Sequence, residues 1–140
     1  SCYWHDPETG VLCKCRPDWT HPADAGDIVL DVKTYSSAEP EEFGRQIARK
    51  GYHRQGGFYS DGRALASGHK VLAFIFIAIE TEYPYAATAV MLDEDSMQAG
   101  RRAYRGALDT YAQCQRNNRW PGYSDAIEVV RLPHYIIDYR

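Results

Sequence analysis

Arg16-Pro17-Asp18, followed further along by Ile28-Val29-Leu30-Asp31-Val32-Lys33, is the stretch whose reading decides the fold. Residues 11–16 alternate apolar and polar side chains, as a half-buried strand does, and Pro17 ends its regular pairing. Residues 28–32 are rich in β-branched side chains and bounded by turn signals, which predicts a second strand. Side chains two apart on a strand share a face, so Asp31 and Lys33 point the same way. A D-x-K triplet alone is a weak signal that arises by chance and often marks a solvated salt bridge. This one closes a buried apolar run, where a charge costs free energy unless it is compensated. Pro-Asp one strand earlier is a second coincidence. In an adjacent antiparallel or bent pair, Asp18 at the end of one strand and Asp31 near the end of the next can meet. Two converging carboxylates beside an ammonium suit metal-assisted phosphodiester chemistry, where the cation assists the attacking water or the developing charge. The backbone carbonyl of Val32 adds an oxygen ligand, and Mg²⁺ favours such an oxygen-rich, partly hydrated site.

Outward from that pair, residues 2–5 form a short strand, joined to the next by the turn chemistry of Asp6-Pro7-Glu8-Thr9-Gly10. A polar loop through 21–26 completes what reads as a three-stranded opening meander. Pro40-Glu41-Glu42 opens a helix. Along it Phe43, Ile47, Gly51, Gln55 and Tyr59 recur every four residues and share one stripe. Gly51 and the Gly56-Gly57 pair are the places where it would break. Residues 71–79 are almost wholly apolar, which predicts a strand buried on both faces. A turn at 83–85 leads to a strand at 86–92, and Asp93-Glu94-Asp95-Ser96 caps a long helix over 97–114. The tail holds an apolar stretch at 126–132 and a Pro133-initiated turn of helix over 133–139. The order β-β-β-α-β-β-α predicts an α/β (α+β) fold, a central mixed sheet flanked by helices. No linker or repeat divides the chain, so residues 1–140 read as one domain.

Composition narrows the class. With 44% hydrophobic and 25% charged residues, the 140-residue chain can build one core without a disulfide or metal staple. A net charge of −3 does not advertise a nucleic-acid binder. A phosphodiester-cleaving site, however, needs acidic ligands at its centre and basic residues only along the substrate path. Arg45, Arg49, Lys50 and Arg54 form one basic cluster and Arg101, Arg102 and Arg105 another. These read either as phosphate contacts, which arginine forks suit, or as solvated helix faces. The four cysteines, at 2, 13, 15 and 114, accompany no secretory segment, so a reducing, cytoplasmic compartment is expected. Cys13 and Cys15 share one side of a strand, where a bridge would be strained. Cys2, His5, Cys13 and Cys15 lack the usual spacing of zinc ligands. No uncharged apolar run approaches ~20 residues, so no membrane span is expected. The chain starts at Ser1 and enters sheet-like sequence almost at once, as a fragment or processed product would.

Pro17-Asp18…Asp31-Val32-Lys33 resembles the motif of the PD-(D/E)xK nucleases, with the separation usual in that superfamily. Tyr52-His53-Arg54-Gln55-Gly56-Gly57-Phe58-Tyr59-Ser60-Asp61-Gly62 resembles the Q-x-x-x-Y helix of its recombination-exonuclease branch. The similarity to the RecE-type exonuclease (exodeoxyribonuclease VIII) family of phages and prophages runs on through residues 71–79 and the long helix to Trp120-Pro121 and Leu132-Pro133. The resemblance implies a restriction-endonuclease-like core with Asp18 and Asp31 as metal ligands and Lys33 as the catalytic lysine. Gln55 and Tyr59 would face the site, with Arg54 as a DNA-binding or supporting neighbour. It further implies a Mg²⁺- or Mn²⁺-dependent exonuclease that digests linear double-stranded DNA 5′→3′ and leaves a 3′ tail. A toroidal homo-oligomer and a single-strand annealing partner follow from the same resemblance. His53 reads as ambiguous, and Glu80 as a supporting carboxylate or a strand-end charge. The family places one more acidic or histidine ligand on an upstream helix. The sequence begins after that point, so the chain is expected to be a C-terminal part of the core lacking one component of the site.

Two other readings stay open: an endonuclease or repair nuclease of the same fold, and a catalytically silent DNA-binding or assembly module.

Overall fold

A computed structural model describes residues 1–137. Strands β1 (Cys2–His5) and β2 (Leu12–Cys15) pair antiparallel as a separate hairpin. Asp6 folds its turn, its carboxylate accepting hydrogen bonds from the Thr9 amide and hydroxyl at 2.9 and 2.7 Å. After Pro17 the chain enters a second sheet of order β3-β4-β5-β6, formed by β3 (Trp19–Ala23), β4 (Gly26–Tyr35), β5 (Val71–Glu80) and β6 (Ala87–Met91). The pair β4–β5 is parallel and its two flanking pairs are antiparallel, so the sheet is mixed, as expected. The opening is not a three-stranded meander: it has four strands, divided between two sheets. Much of the segment read as a polar loop belongs to β3. That strand lies at the sheet edge and is largely exposed, so it shows no apolar alternation and tolerates Pro22.

Alternation along β4 and β5 puts Val29, Asp31, Phe74, Phe76 and Ala78 on one buried face. Residues 71–79 are not buried on both faces, because Ile75 and Ile77 point to the other side and are only half-covered. The helices cover the first face. Phe43 and Ile47 of α1 (Pro40–Lys50) close a core with Val29, Phe74, Phe76 and Ala78. Glu39 caps this helix, its carboxylate accepting from the amides of Glu41 and Glu42. The helix ends at Gly51, in the left-handed region at φ 70°, where a side chain would cost roughly 1–2 kcal/mol. The expected break therefore falls at Gly51, and α2 (Tyr52–Ser67) starts directly after it.

Gly56 and Gly57 do not break α2; they pack it against α3 (Glu94–Asn117). A Cβ added to Gly100 of α3 would stand 2.0 Å from the carbonyl oxygen of His53, so the two helices touch backbone to backbone. Helix α3 is longer than expected at both ends, and the Asp93 carboxylate caps it by accepting from the Ser96 amide. The β1–β2 hairpin leans on α2 through Trp4, Cys13, Cys15 and Phe58. Beyond Asn118, α4 (His134–Ile137) is a single turn, and the apolar side chains of Ile127, Val129 and Val130 are exposed. The remainder of the expected tail helix lies outside the described residues. Among those residues, no helix is long and apolar enough to cross a membrane.

Candidate active site

Strand β4 carries Asp31 and Lys33 on its helix-covered face, opposite Phe76 and Ala78 of β5. Asp31 is only 2% exposed. A carboxylate so placed persists only with compensating partners. It has two. Its Oδ2 pairs with the Lys33 ammonium, and its Oδ1 accepts a hydrogen bond from Gln55 Nε2 at 2.7 Å. Apart from the ion pair, Oδ2 meets no hydrogen-bond donor. Lys33 Nζ in turn lies 4.7 Å from the centre of the Tyr52 ring, and that ring packs on the buried Phe76 at 6.1 Å.

Asp18 arrives by a different route from the one its sequence position suggested. It stands directly before β3, the hairpin partner of β4, rather than at the end of the expected strand over residues 11–16, which pairs with β1 and not with β4. Its Oδ2 accepts from the Val32 amide at 2.8 Å, beside Asp31. Pro17 explains why. With Trp19 opposite Leu30, the register carried two residues on would set Pro17 against Val32. Proline has no N–H to give the Val32 carbonyl, which shares the strand edge of its own amide. The P-D pair thus ends the ladder, directs a carboxylate to the Val32 amide and leaves the Val32 carbonyl without that donor.

The other expected residues divide. Gln55 reaches the site. Tyr59 is half-buried among aromatic rings, 6.3 Å from Phe74 and 6.4 Å from Phe58, and serves as packing beneath it. Arg54 is exposed, its guanidinium filling the space beside Gly51. The His53 backbone carbonyl meets α3. Glu80 is a structural clamp: its carboxylate accepts from the Ala38 amide at 3.1 Å and the Ala86 amide at 3.0 Å, tying two loops together. Tyr52 is the residue that the motif reading missed. Its signal was its place three positions before Gln55, which puts both on one helical face.

Several of the clustered arginines are paired with carboxylates of this chain. Arg45 pairs with Glu41 and Glu42, Arg101 with Asp61, and Arg105 with Asp6. All four cysteines are free thiols; burial, with Cys2 alongside, pushes Cys15 up to about 12. Among the described residues no group of three or more His, Cys, Asp or Glu side chains is placed to hold a metal. The oxygens at the site are the Asp31 Oδ2 that lacks a hydrogen-bond donor, the Asp18 carboxylate and the Val32 carbonyl. All are hard donors, and an incomplete set of them fits a small divalent cation that keeps part of its water, as Mg²⁺ does.

A mixed sheet with D-x-K on a central strand, and P-D leading into the strand hairpinned to it, defines a core of the PD-(D/E)xK class. The chain belongs to the family described as a PDDEXK-like domain of unknown function (DUF3799), whose model matches residues 1–133. Its fold is also that of a crystallised protein of Eubacterium rectale described as a candidate exonuclease. The TM-score is 0.64 at 14% identity, over 98% of this chain and 54% of that one. The chain thus spans about half the length of that protein. No curated protein matches the sequence.

Proposed function

We propose that this chain is the core of a metal-dependent nuclease acting on linear double-stranded DNA from its ends, 5′→3′, in the manner of RecE-type exonucleases. The observation that carries the reading is the buried Asp31 carboxylate, held by Gln55 on one oxygen and paired with Lys33 through the other, with Asp18 bonded to the amide of the next residue, Val32. Asp31, Asp18 and the Val32 carbonyl would hold a Mg²⁺ or Mn²⁺ ion. Such an ion, when bound, activates water and neutralises charge on the phosphate. Lys33 supplies a fixed positive charge toward the scissile phosphate, where negative charge grows. Gln55 fixes the orientation of the Asp31 carboxylate. A ring-shaped assembly and a single-strand annealing partner belong to the same proposal, supported by the motif series from Pro17 to Pro133.

The test is degradation of a 5′-end-labelled linear duplex with Mg²⁺, beside a covalently closed circle, by this chain and its Lys33→Ala variant. Cutting of the linear duplex alone, abolished in a Lys33→Ala variant that still melts cooperatively, is the expected result. Cutting of the circle would replace end-dependent by internal cleavage. Duplex binding without any cutting would leave a silent DNA-binding module.

A further inference from the structure

We infer that Tyr52 is the positioning residue for Lys33, its ring face holding the ammonium in place when Asp31 Oδ2 is engaged by a cation. The inference rests on the proposed function. Strand β4 presents two charges on one face, and one turn of α2 meets each with its own side chain. Gln55 donates to Asp31 Oδ1 at 2.7 Å. Tyr52, on the same helical face, sets its ring 4.7 Å from Lys33 Nζ.

The two anchors of the ammonium are not equivalent. Asp31 Oδ2 is buried, lacks a hydrogen-bond donor and is the atom offered to a divalent ion. Once that oxygen is shared with a second positive charge, its hold on the lysine weakens. The ring attracts a cation through the negative face of its π-system, and a metal drawn to oxygen donors does not compete for it. Without the ring, a lysine stem with its four carbons has many rotamers to sample. The ring itself is braced. It packs on Phe76, which is wholly buried, and the left-handed turn at Gly51, directly before it, makes Tyr52 the first residue of α2. Because the contact is to the ring, the hydroxyl has no part in it, and phenylalanine substitutes for tyrosine.

The test compares the unaltered chain with Tyr52→Phe and Tyr52→Leu, all shown to melt alike. In Mg²⁺-dependent cutting of linear duplex DNA, Tyr52→Phe keeps kcat within about twofold. Tyr52→Leu lowers kcat about tenfold with KM within about twofold, a factor between those for loss of an exposed and of a fully desolvated cation–π contact. In the metal-free protein, NMR finds the Lys33 ε-methylene protons shifted upfield by the ring in the unaltered chain and in Tyr52→Phe, and not in Tyr52→Leu. Unchanged kcat in Tyr52→Leu, or equal loss in both variants, overturns the inference and leaves the nuclease reading standing. If neither the unaltered chain nor a version extended upstream cuts, the nuclease reading has failed and the inference falls with it.

Discussion

The Gln55 side chain donates a hydrogen bond to a carboxylate that is almost wholly out of water, and bonds to charged groups are the strong ones. Replacing it by leucine, which keeps the helix and much of the volume, is expected to cost about 1.5–3 kcal/mol in urea unfolding at neutral pH. Cutting should fall with it; a variant as stable and as active as the parent would mean that the bond does not form in solution. Asp6 makes a different prediction. The Arg105 guanidinium beside it, with help from Thr9, holds its carboxyl at about 2 against an ordinary 3.8. The native state therefore binds fewer protons than the unfolded chain in this range. The stabilisation is complete above the ordinary value and is lost as pH falls from there through about 2. It amounts to about 2 kcal/mol, and Arg105→Met should flatten that part of the stability-versus-pH curve. Asp27, lowered likewise by Arg63, stays in both proteins, so the difference between the curves reports the carboxylates that Arg105 faces, the buried Asp6 foremost beside the exposed Glu8 and Asp109. At this scale the shared face of Asp31 and Lys33 was legible because side chains two apart on a strand point the same way, and Gln55 was reached through the family resemblance. The route of Asp18 was not legible, since it depends on which strand pairs with β4. Nor were Tyr52 and Glu80, since a ring beneath an ammonium and a clamp across two loops depend on where the chain turns.

Each helix at the site is placed by a glycine, and for different reasons. Gly51→Ala puts a side chain at φ 70° and is expected to cost about 1–2 kcal/mol. Gly100→Ala pushes a methyl into the His53 carbonyl, so α2 and α3 must part. Overpacking of that kind costs typically 1–3 kcal/mol, and because α2 bears Gln55 and Tyr52, cutting should drop as well. Thermal melts and rates on the pair separate strain from displacement; a Gly100→Ala protein with full activity would mean that α3 recedes without moving α2. The elements with an apolar stripe or a run of β-branched residues were readable in the sequence: β5 and the start of α1 stand near their expected bounds, while β4 and α3 run two or three residues past theirs at each end. Strand β3 was not, because an exposed edge strand has no buried face to imprint a pattern. The break at Gly51 was narrowed to two candidates and decided by packing, since Gly56 and Gly57 are used for closeness to α3 rather than for a turn.

The molecule joins two sheets through α2, with α3 packed on both cores behind it. The PD-(D/E)xK frame was visible in the sequence, but not this division, because nothing in residues 1–16 tells which sheet they join. A divalent ion that binds the native site and not the unfolded chain raises stability by about 2.7 kcal/mol at a hundred times its dissociation constant. Mg²⁺ is thus expected to lift the melting temperature by several degrees, and Asp31→Asn to abolish the lift. Equal shifts in both would place the ion elsewhere. Helix α2 touches β1, β2, β5, α1 and α3, so it cannot open without opening both cores. Its amides should therefore exchange with solvent only through global unfolding, whereas most of those of residues 120–133, outside regular structure, exchange far faster. Gln55 and Tyr52 ride on that slowest part. On warming, then, the site cannot come apart ahead of the fold: activity and structure disappear in one step, and a chain silenced by heat is an unfolded chain.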